Sequence, residues 1–211
     1  MTTEIKQFKK ENLTVRIFTD EASAGKGSAD FVAKHLNYAI RAKGHANLIL
    51  ATGASQFAFI EAIKTLPVDW SKITVFHLDE YRDLPETHPA SFRKYLKERI
   101  LDVVKPFQVY YINGDAKEIE REVARYEELL KAATVDVACI GIGENGHIAF
   151  NDPEVADFND PALVKIVQLD NTSRRQQLGE GWFSTLEEVP MEAISLTIPA
   201  IMRCKVISCM V

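Results

Sequence analysis

The sequence predicts an α/β fold, a doubly wound and mainly parallel sheet with helices on both faces in a Rossmann-like three-layer arrangement. Two observations carry this prediction. Short β-rich runs alternate with longer runs whose apolar residues recur at helical spacing, the pattern of strands that are linked by helices. The short runs are almost wholly apolar, which indicates strands buried on both faces, as in a parallel sheet covered by helices.

The elements follow in order along the chain. Leu13–Phe18 is predicted to be a strand, and Glu21–Lys43 a helix, since Gly44 stands where a helix C-terminal stop belongs. A polar loop is expected at Asp170–Pro190, and Cys204–Val211 has the pattern of an unfinished core strand. The other predicted elements are strands at Asn47–Ala51, Ile73–Leu78, Gln108–Ile112, Val135–Ile142, Val164–Leu169 and Ala193–Thr197, and helices at Gln56–Leu66, after Ser91 and after Asp115.

The composition is that of an ordinary globular protein, and we expect a single domain over 1–211. The chain has 211 residues, of which 46% are hydrophobic and 26% charged, and this excludes a disordered chain. A net charge of −5 and a pI near 5.6 give no general attraction to nucleic acid or anionic membranes, so neither is an expected partner. An anionic substrate would therefore need a local binding feature, such as a group of N–H donors, to attract it.

The cysteines and the start of the chain indicate a cytoplasmic protein. Cys139, Cys204 and Cys209 lie in apolar strand-like runs, which is typical of buried free thiols in a reducing compartment. Met1–Asn12 lacks the apolar segment of a signal peptide. No apolar run approaches the ~20 residues of a membrane helix, and no Cys/His cluster predicts a zinc site.

In sheets of this kind ligands bind beyond the carboxyl ends of the strands, and three strand-end segments stand out. The first is Thr52-Gly53-Ala54-Ser55. Glycine permits a tight turn, Ser55 can cap the next helix, and free backbone N–H groups with two hydroxyls can hold a phosphate. A plain capped turn is the alternative. The Gly-Lys-Ser/Thr ending of a nucleotide-binding loop is absent.

The second segment, Leu78-Asp79-Glu80-Tyr81, places two adjacent acids directly after an apolar strand. Carboxylates are costly to bury, so they need a reason to be there. One of them can serve as a general base whose pKa is raised by partial burial. A helix N-cap or a solvated turn is the alternative.

The third segment, Gly141 to Pro153, contains a literal GxGxxG, but it follows the fifth predicted strand and ends in a proline that disfavours a helix. A dinucleotide fingerprint should open a helix after the first strand of its unit, so that interpretation is rejected. The glycines instead let the backbone approach a ligand closely. His147, with Asn145 and Asp152 within reach, forms a candidate acid–base group.

Taken together, the strings ATGAS, FHLDEY and GIGENGHIAFNDP, in this order and spacing, resemble the glucosamine-6-phosphate deaminase (isomerase) family, which shares its fold with 6-phosphogluconolactonase. The resemblance runs from about Ile17 to Val211. It implies an enzyme that converts glucosamine 6-phosphate and water to fructose 6-phosphate and ammonia. It also implies that no metal or organic cofactor is needed. The expected partner is a small sugar phosphate. The resemblance leaves open whether the chain forms a homo-oligomer.

The resemblance also assigns roles to residues. Asp79 is implied to move a proton between C2 and C1 through an enolamine, and His147 to open the sugar ring. Asn145 and Asp152 match the positions that flank and orient this histidine. The remaining implied substrate contacts are Thr52, Gly53, Ala54, Ser55, Glu80, Gly146 and Arg174.

The chain departs from the family pattern at several places. The best-known members carry Asp where this chain has Asn145, and Glu where it has Asp152. An arginine of an Arg-Phe-Phe string is missing, because the comparable place reads Glu180-Gly181-Trp182-Phe183, and Arg174 or Arg175 is expected to compensate. Family chains continue past the strand that ends at Val211, into a phosphate-binding lysine and a closing helix. We therefore expect a domain that is cut short.

Three rival functions use the same residues. Lactone hydrolysis of the 6-phosphogluconolactone type also places a histidine here, although LDEY and AFND favour the deaminase. A non-catalytic sugar-phosphate sensor would need an attached DNA-binding domain, and no such segment precedes Leu13. A serine hydrolase built on Ser55 fits poorly because no G-x-S-x-G elbow is present.

Overall fold

The computed structural model describes residues 3–211, so Met1 and Thr2, at the start of the segment tested for a signal peptide, lie outside it. The strands are β1 (Glu4–Lys10), β2 (Leu13–Phe18), β3 (Ala46–Leu50), β4 (Ile73–His77), β5 (Asp79–Tyr81), β6 (Gln108–Tyr110), β7 (Val137–Gly141), β8 (Val164–Gln168), β9 (Glu192–Leu196) and β10 (Val206–Met210). The helices are α1 (Glu21–Lys43), α2 (Phe57–Ile63), α3 (Phe92–Leu96), α4 (Asp102–Val104), α5 (Ile119–Ala132), α6 (Asn171–Gly179) and α7 (Ile198–Met202).

A five-stranded sheet of order β10-β7-β3-β4-β6, with every neighbouring pair parallel, forms the centre of the fold. The predicted α/β fold class is therefore confirmed. From β3 the chain adds β4 and then β6 on one side, and it returns to place β7 on the other side of β3. The direction of winding thus reverses between β3 and β7, which is where α/β sheets of this type open a crevice for ligands.

Helices and a second sheet cover the two faces of the central sheet. Neighbouring residues of β3 point to opposite faces, as the pleat requires. Leu48 packs in the cluster that holds Leu36 of α1 and Phe59 of α2, while Ile49 packs in the cluster that holds Tyr126 of α5. This burial explains why β3 is apolar throughout.

The second sheet, of order β5-β9-β8, is antiparallel and contains the LDEY segment. Asp79 pairs with Ser195 and Tyr81 with Ala193, so the two predicted strands in the later part of the chain hold these acids at the end of β4. Neither a helix N-cap nor a solvated turn is found at Asp79 and Glu80, which are both buried.

The first long helix follows its sequence prediction residue for residue. Asp20 caps α1 by accepting a hydrogen bond from the Ser23 backbone N–H at 2.7 Å. Gly44 ends the helix with φ of +84°, the left-handed conformation that favours glycine at this position. The residues buried by α1 include Val32, Leu36 and Ala39.

The predicted strand Leu13–Phe18 is confirmed with the same bounds, and it pairs with β1 in an exposed antiparallel hairpin outside the central sheet. Three other predictions are wrong in detail. Asp115 does not cap a helix; it bonds Arg93 instead. The expected loop 170–190 contains α6. Cys209, on the edge strand β10, is exposed, whereas Cys139 and Cys204 are buried.

None of the helices described over residues 3–211 combines the length and the apolarity that a bilayer crossing requires.

The close approach of α1 to α2 yields a testable expectation. A Cβ atom added at Gly25 would lie 2.5 Å from the backbone carbon and from Cβ of Ala58, so G25A must force the two helices apart. We expect G25A to lower the free energy of unfolding by roughly 1–3 kcal/mol, measured by urea denaturation. G179A is the matched control, because a Cβ there meets nothing within 4 Å. Equal midpoints for G25A and the unaltered protein would contradict this packing.

Candidate active site

A cleft of about 150 Å³ lies at the carboxyl ends of β3, β4 and β7, where the winding of the sheet reverses. Three of its walls are the strand-end segments that the sequence singled out, and a fourth comes from α6. Its lining residues are Ala51, Thr52, Gly53, Ala54, Ser55, Leu78, Asp79, Phe92, Gly141, Ile142, Gly143, His147, Ala149, Phe150, Gln176, Gln177 and Glu180. The parallel sheet therefore brings Thr52–Ser55, Asp79 and His147 together in one cleft.

The loop after β3 has a special backbone conformation that contacts from neighbouring side chains hold in place. Gly53 adopts φ of +97° and ψ of 169°, a conformation essentially restricted to glycine. The Tyr95 hydroxyl donates to the Gly53 carbonyl at 3.0 Å and holds this turn from α3. Ser55 was expected to cap the next helix, but its Oγ accepts from Gln56 Nε2 instead. That amide also reaches the Ile140 carbonyl at 3.3 Å, which ties the loop to β7.

Asp79 is buried at the floor of the cleft. Its Oδ1 has no hydrogen-bond partner among the described residues, although only 6% of the residue is exposed. Burial, aided by the neighbouring charge of Glu80, raises the pKa of the Asp79 carboxyl to about 8. A carboxyl group with such a pKa can give and take protons near neutral pH, which is what a shuttle between two carbon atoms requires.

Glu80, which was predicted to contact substrate, does not line the cleft. Its side chain points to the opposite side of β5 and accepts hydrogen bonds from the Ser91 hydroxyl and from the backbone N–H groups of Phe92 and Arg93. The Arg93 guanidinium lies 3.2 Å from Glu80 Oε2. Burial raises the pKa of Glu80, and these donors oppose that rise. Glu80 therefore anchors α3 to β5 rather than facing a ligand.

His147 lies in a network of hydrogen bonds with both residues that were predicted to flank it. Its Nδ1 lies 2.6 Å from Asn145 Oδ1 and 3.3 Å from Asp152 Oδ1. Asn145 Nδ2 donates to the same Asp152 oxygen at 3.0 Å. Burial alone would raise the pKa of Asp152, but hydrogen bonds from His147 and Asn145 lower it well below its usual range. Within residues 3–211 all hydrogen bonds of the ring go through Nδ1, so Nε2 is the nitrogen open to the cleft.

The glycines of this segment make room for the histidine. A Cβ at Gly143 would lie 2.1 Å from Cε1 of His147, so only glycine fits beneath the ring. Gly146 has φ of +87° and donates its N–H to the Gly143 carbonyl at 2.9 Å. Gly146, a predicted substrate contact, shapes this turn and does not line the cleft.

Arg174 is also placed away from the cleft. Its guanidinium donates to the carbonyl groups of Leu186 and Val189 and holds the segment that leads to β9. Neither Arg174 nor Arg175 lines the cleft, and in the part of the chain that the structure describes its wall contains no lysine or arginine. The expected compensation for the missing arginine is not found.

Sequence reasoning missed the contribution of α6, which places Gln176 and Gln177 in the cleft wall and leads directly to Glu180. The signal was present as Asp170, a residue type favoured at helix N-caps, whose side chain accepts from the Ser173 backbone N–H. Two aromatic rings complete the wall, since Phe92 and Phe150 stack with centroids 5.7 Å apart. Across residues 3–211, no three His, Cys, Asp or Glu side chains are grouped as a metal site would require.

Comparisons with known proteins identify the family and the fold of the chain. The sequence model of the family described as glucosamine-6-phosphate isomerases/6-phosphogluconolactonase matches residues 19–211. A glucosamine-6-phosphate deaminase of Bacillus cereus (strain B4264) is 36% identical over 172 residues, 82% of this chain and 64% of that protein. One of Bacillus cytotoxicus is 35% identical over 173 residues with the same coverage. The chain thus spans 64% of the length of these relatives.

Solved structures share the fold. A structure described as a monomeric glucosamine-6-phosphate deaminase superposes with a TM-score of 0.79 at 27% identity and covers 90% of this chain and 78% of its own. A 6-phosphogluconolactonase from Plasmodium vivax superposes with a TM-score of 0.76 at 17% identity, over 96% of this chain and 77% of its own. The second likeness shows the fold alone.

The buried contact between Arg93 and Glu80 can be tested by removing one partner. R93M leaves the fully buried Glu80 carboxylate without its cation, and we expect a loss of roughly 3–5 kcal/mol in the free energy of unfolding. R121M, which breaks an exposed ion pair with Glu118, is the control and should cost less than about 1 kcal/mol. Urea denaturation of both variants measures the difference. Similar losses for the two would show that Glu80 does not depend on Arg93.

Proposed function

Because the chain belongs to the family of glucosamine-6-phosphate isomerases and 6-phosphogluconolactonases, we propose that its cleft converts glucosamine 6-phosphate and water to fructose 6-phosphate and ammonia. One observation carries the proposal: a buried carboxyl group with a raised pKa, Asp79, and a histidine with one open nitrogen, His147, line the same cleft. The curated relatives named as glucosamine-6-phosphate deaminases support it.

The first step is opening of the sugar ring. His147 takes the proton of the hydroxyl on C1, the bond between C1 and the ring oxygen breaks, and the ring oxygen receives a proton from the imidazole. The histidine ends the step as it began. Asn145 and Asp152 hold the ring through Nδ1, so that Nε2 serves both transfers.

The second step moves a proton between adjacent carbons of the open chain. Asp79 in its ionised form removes the proton on C2 while the oxygen on C1 takes a proton from the substrate's own ammonium group, and the resulting enolamine receives the C2 proton back on C1. The imine formed at C2 adds water and loses ammonia, which leaves the ketose. Asp79 returns the proton that it removed, so a single carboxyl group suffices. Its burial keeps solvent away from the proton in transit.

The phosphate group is proposed to bind at Thr52–Ser55. With no lysine or arginine in the cleft wall described over residues 3–211, this loop is the part of the site suited to an anion. It offers the hydroxyl groups of Thr52 and Ser55, and backbone N–H groups that a turn of this kind can aim at an anion.

Lactone hydrolysis, the other reaction in the family's description, remains the second candidate. It needs one base that activates water, and the histidine network can supply that alone. A second, buried carboxyl group with its pKa raised to about 8 has no role in such a hydrolysis. The retained Asp79 therefore favours the deaminase. A coupled assay for ammonia and fructose 6-phosphate from glucosamine 6-phosphate, run beside lactone hydrolysis, decides between the two.

The role of Asp79 predicts a specific dependence on pH. Because the ionised form is the base and the pKa is raised to about 8, kcat/KM should climb as pH rises through about 8. D79N should abolish turnover at every pH while sugar-phosphate binding persists. D83N, which alters an exposed acid four residues away, is the matched control and should leave the profile unchanged.

Stability gives an independent check on this assignment. The folded-state pKa of Asp79 lies above its unfolded value, so its protonated form stabilises the fold at low pH, and this contribution is lost progressively as pH rises from about 4 to about 8. D79N cannot ionise. Its melting temperature should therefore gain on that of the unaltered protein between pH 6 and pH 9. A constant difference across this range would refute the raised pKa.

The role of His147 is tested with two forms of substrate. H147Q should reduce turnover of the cyclic sugar phosphate by on the order of 100-fold or more, because Nε2 of His147 is the group proposed to make both proton transfers of ring opening. An open-chain analogue that bypasses ring opening should lose far less. Steady-state kinetics on both substrates measures this. Equal losses on both would remove His147 from the ring-opening step.

A further inference from the structure

We propose that Asp170, at the start of α6, is a positioning residue that fixes the proton of His147 on Nδ1 by locking the Asn145 carboxamide in one orientation. Asp170 and Asn145 are 25 positions apart in the chain, and Asn145 Nδ2 lies 2.9 Å from Asp170 Oδ2. This assignment concerns one tautomer of one ring. Only its kinetic consequence rests on the proposed function.

The first step of the argument is the carboxamide of Asn145. Its Nδ2 has two hydrogen atoms, and two carboxylates face it: Asp152 Oδ1 at 3.0 Å and Asp170 Oδ2 at 2.9 Å. Carboxylates only accept, so the amide nitrogen must lie on their side. The amide oxygen must then face His147, where it accepts from the backbone N–H at 3.1 Å and lies 2.6 Å from Nδ1. An oxygen cannot donate, so Nδ1 carries the proton of the neutral ring.

A second contact leads to the same tautomer. Ser173 Oγ lies 3.0 Å from His147 Nδ1, and it donates its only hydrogen atom to Asp152 Oδ1. The hydroxyl can therefore only accept from the ring. Asn145 and Ser173 both require Nδ1–H, which leaves Nε2 as a bare acceptor at the cleft, the form that must take the first proton in ring opening.

The third step is what holds Asp170 in place. Its Oδ1 accepts from the Ser173 backbone N–H at 2.7 Å and caps α6, and its own N–H donates to Asp152 Oδ2 at 3.0 Å. Both carboxylate oxygens thus have separate tasks, one toward the helix and one toward Asn145. The same residue that starts α6 sets the orientation of Asn145. Asn145 carries no charge. Asp170 supplies a negative charge behind it, because it contacts the Asn145 carboxamide instead of the ring.

The informative variant is D170N. Asparagine caps helices as well as aspartate does, so α6 keeps its cap, but the single oxygen of the new side chain cannot serve both Ser173 and Asn145. Its N–H groups then face those of Asn145. This repulsion weakens the hold on the present orientation, which Asp152 alone then supports, and it populates the flipped carboxamide, which turns an N–H toward His147 Nδ1 and moves the ring proton to Nε2.

The tautomer is read directly from the 15N chemical shifts of the histidine rings in the full chain. The signals of His147 are assigned as those that disappear in H147Q. We expect Nδ1–H in the unaltered protein and a shift toward Nε2–H in D170N. D20N is the matched control: Asp20 caps α1 through the same contact, to the Ser23 N–H at 2.7 Å, and lies outside the cleft wall. It should leave the spectrum of His147 unchanged.

Kinetics supplies the second readout. D170N should lower kcat for the cyclic amino-sugar phosphate by on the order of 10–100-fold with little change in KM, and D20N should match the unaltered protein. D170S keeps a good N-cap and removes the acceptor without adding an N–H, so it should give a mixture of tautomers, and it replaces D170N if that variant does not fold.

Two results would overturn the inference: Nε2–H in the unaltered protein, or Nδ1–H fully retained in D170N and D170S. Equal losses of kcat in D170N and D20N would indicate a general effect of helix capping and would also overturn it. Absence of turnover in the unaltered protein would remove the proposed function, and the NMR spectra would still decide the tautomer.

Discussion

The short strand β5 imposes the constraint on which the site depends. Because side chains alternate along a strand, Asp79 and Glu80 must point to opposite sides, although both are buried. The protein satisfies Glu80 with backbone N–H groups and Arg93, and leaves Asp79 without a partner on Oδ1. Two identical desolvation problems thus receive opposite solutions. Burial raises the pKa of both groups, but Glu80 is committed to its donors, while Asp79, with its pKa raised to about 8, keeps a free oxygen that acid–base chemistry can use.

The histidine side of the site also depends on hydrogen-bond partners from a second element. His147, Asn145 and Asp152 come from one loop after β7, but the loop does not fix their orientation alone. The start of α6 contributes the remaining partners, so the cap of this helix and the His147 network share Asp170 and Ser173. A helix that also lines the cleft through Gln176 and Gln177 therefore begins where the histidine is held. The cleft-lining side chains of α6 and the orientation of the ring are linked through this first turn.

Much of this was accessible from the sequence. The apolar runs of β3 and β4 and the capping signals of α1 are local properties, and the convergence of Thr52–Ser55, Asp79 and His147 follows from the rule for carboxyl ends of parallel strands. What sequence reasoning missed depends on pairing between distant segments. The role of Glu80 is decided by Arg93, and Arg174 is claimed by carbonyl groups twelve and fifteen residues away. Such choices between partners are made in three dimensions and leave no periodic trace.

The β1–β2 hairpin is attached to the rest of the fold by few contacts. Every residue of β1 is exposed, and β2 reaches the rest of the fold mainly through Phe18, whose ring lies over Gly27 of α1, and through Arg16, which donates to the Gly27 carbonyl at 3.2 Å. A unit with so little buried surface opens at a far lower free energy than the central sheet. We therefore expect its amide hydrogens to exchange with solvent sooner than those of the central sheet, through local openings that leave the five parallel strands and their cleft closed.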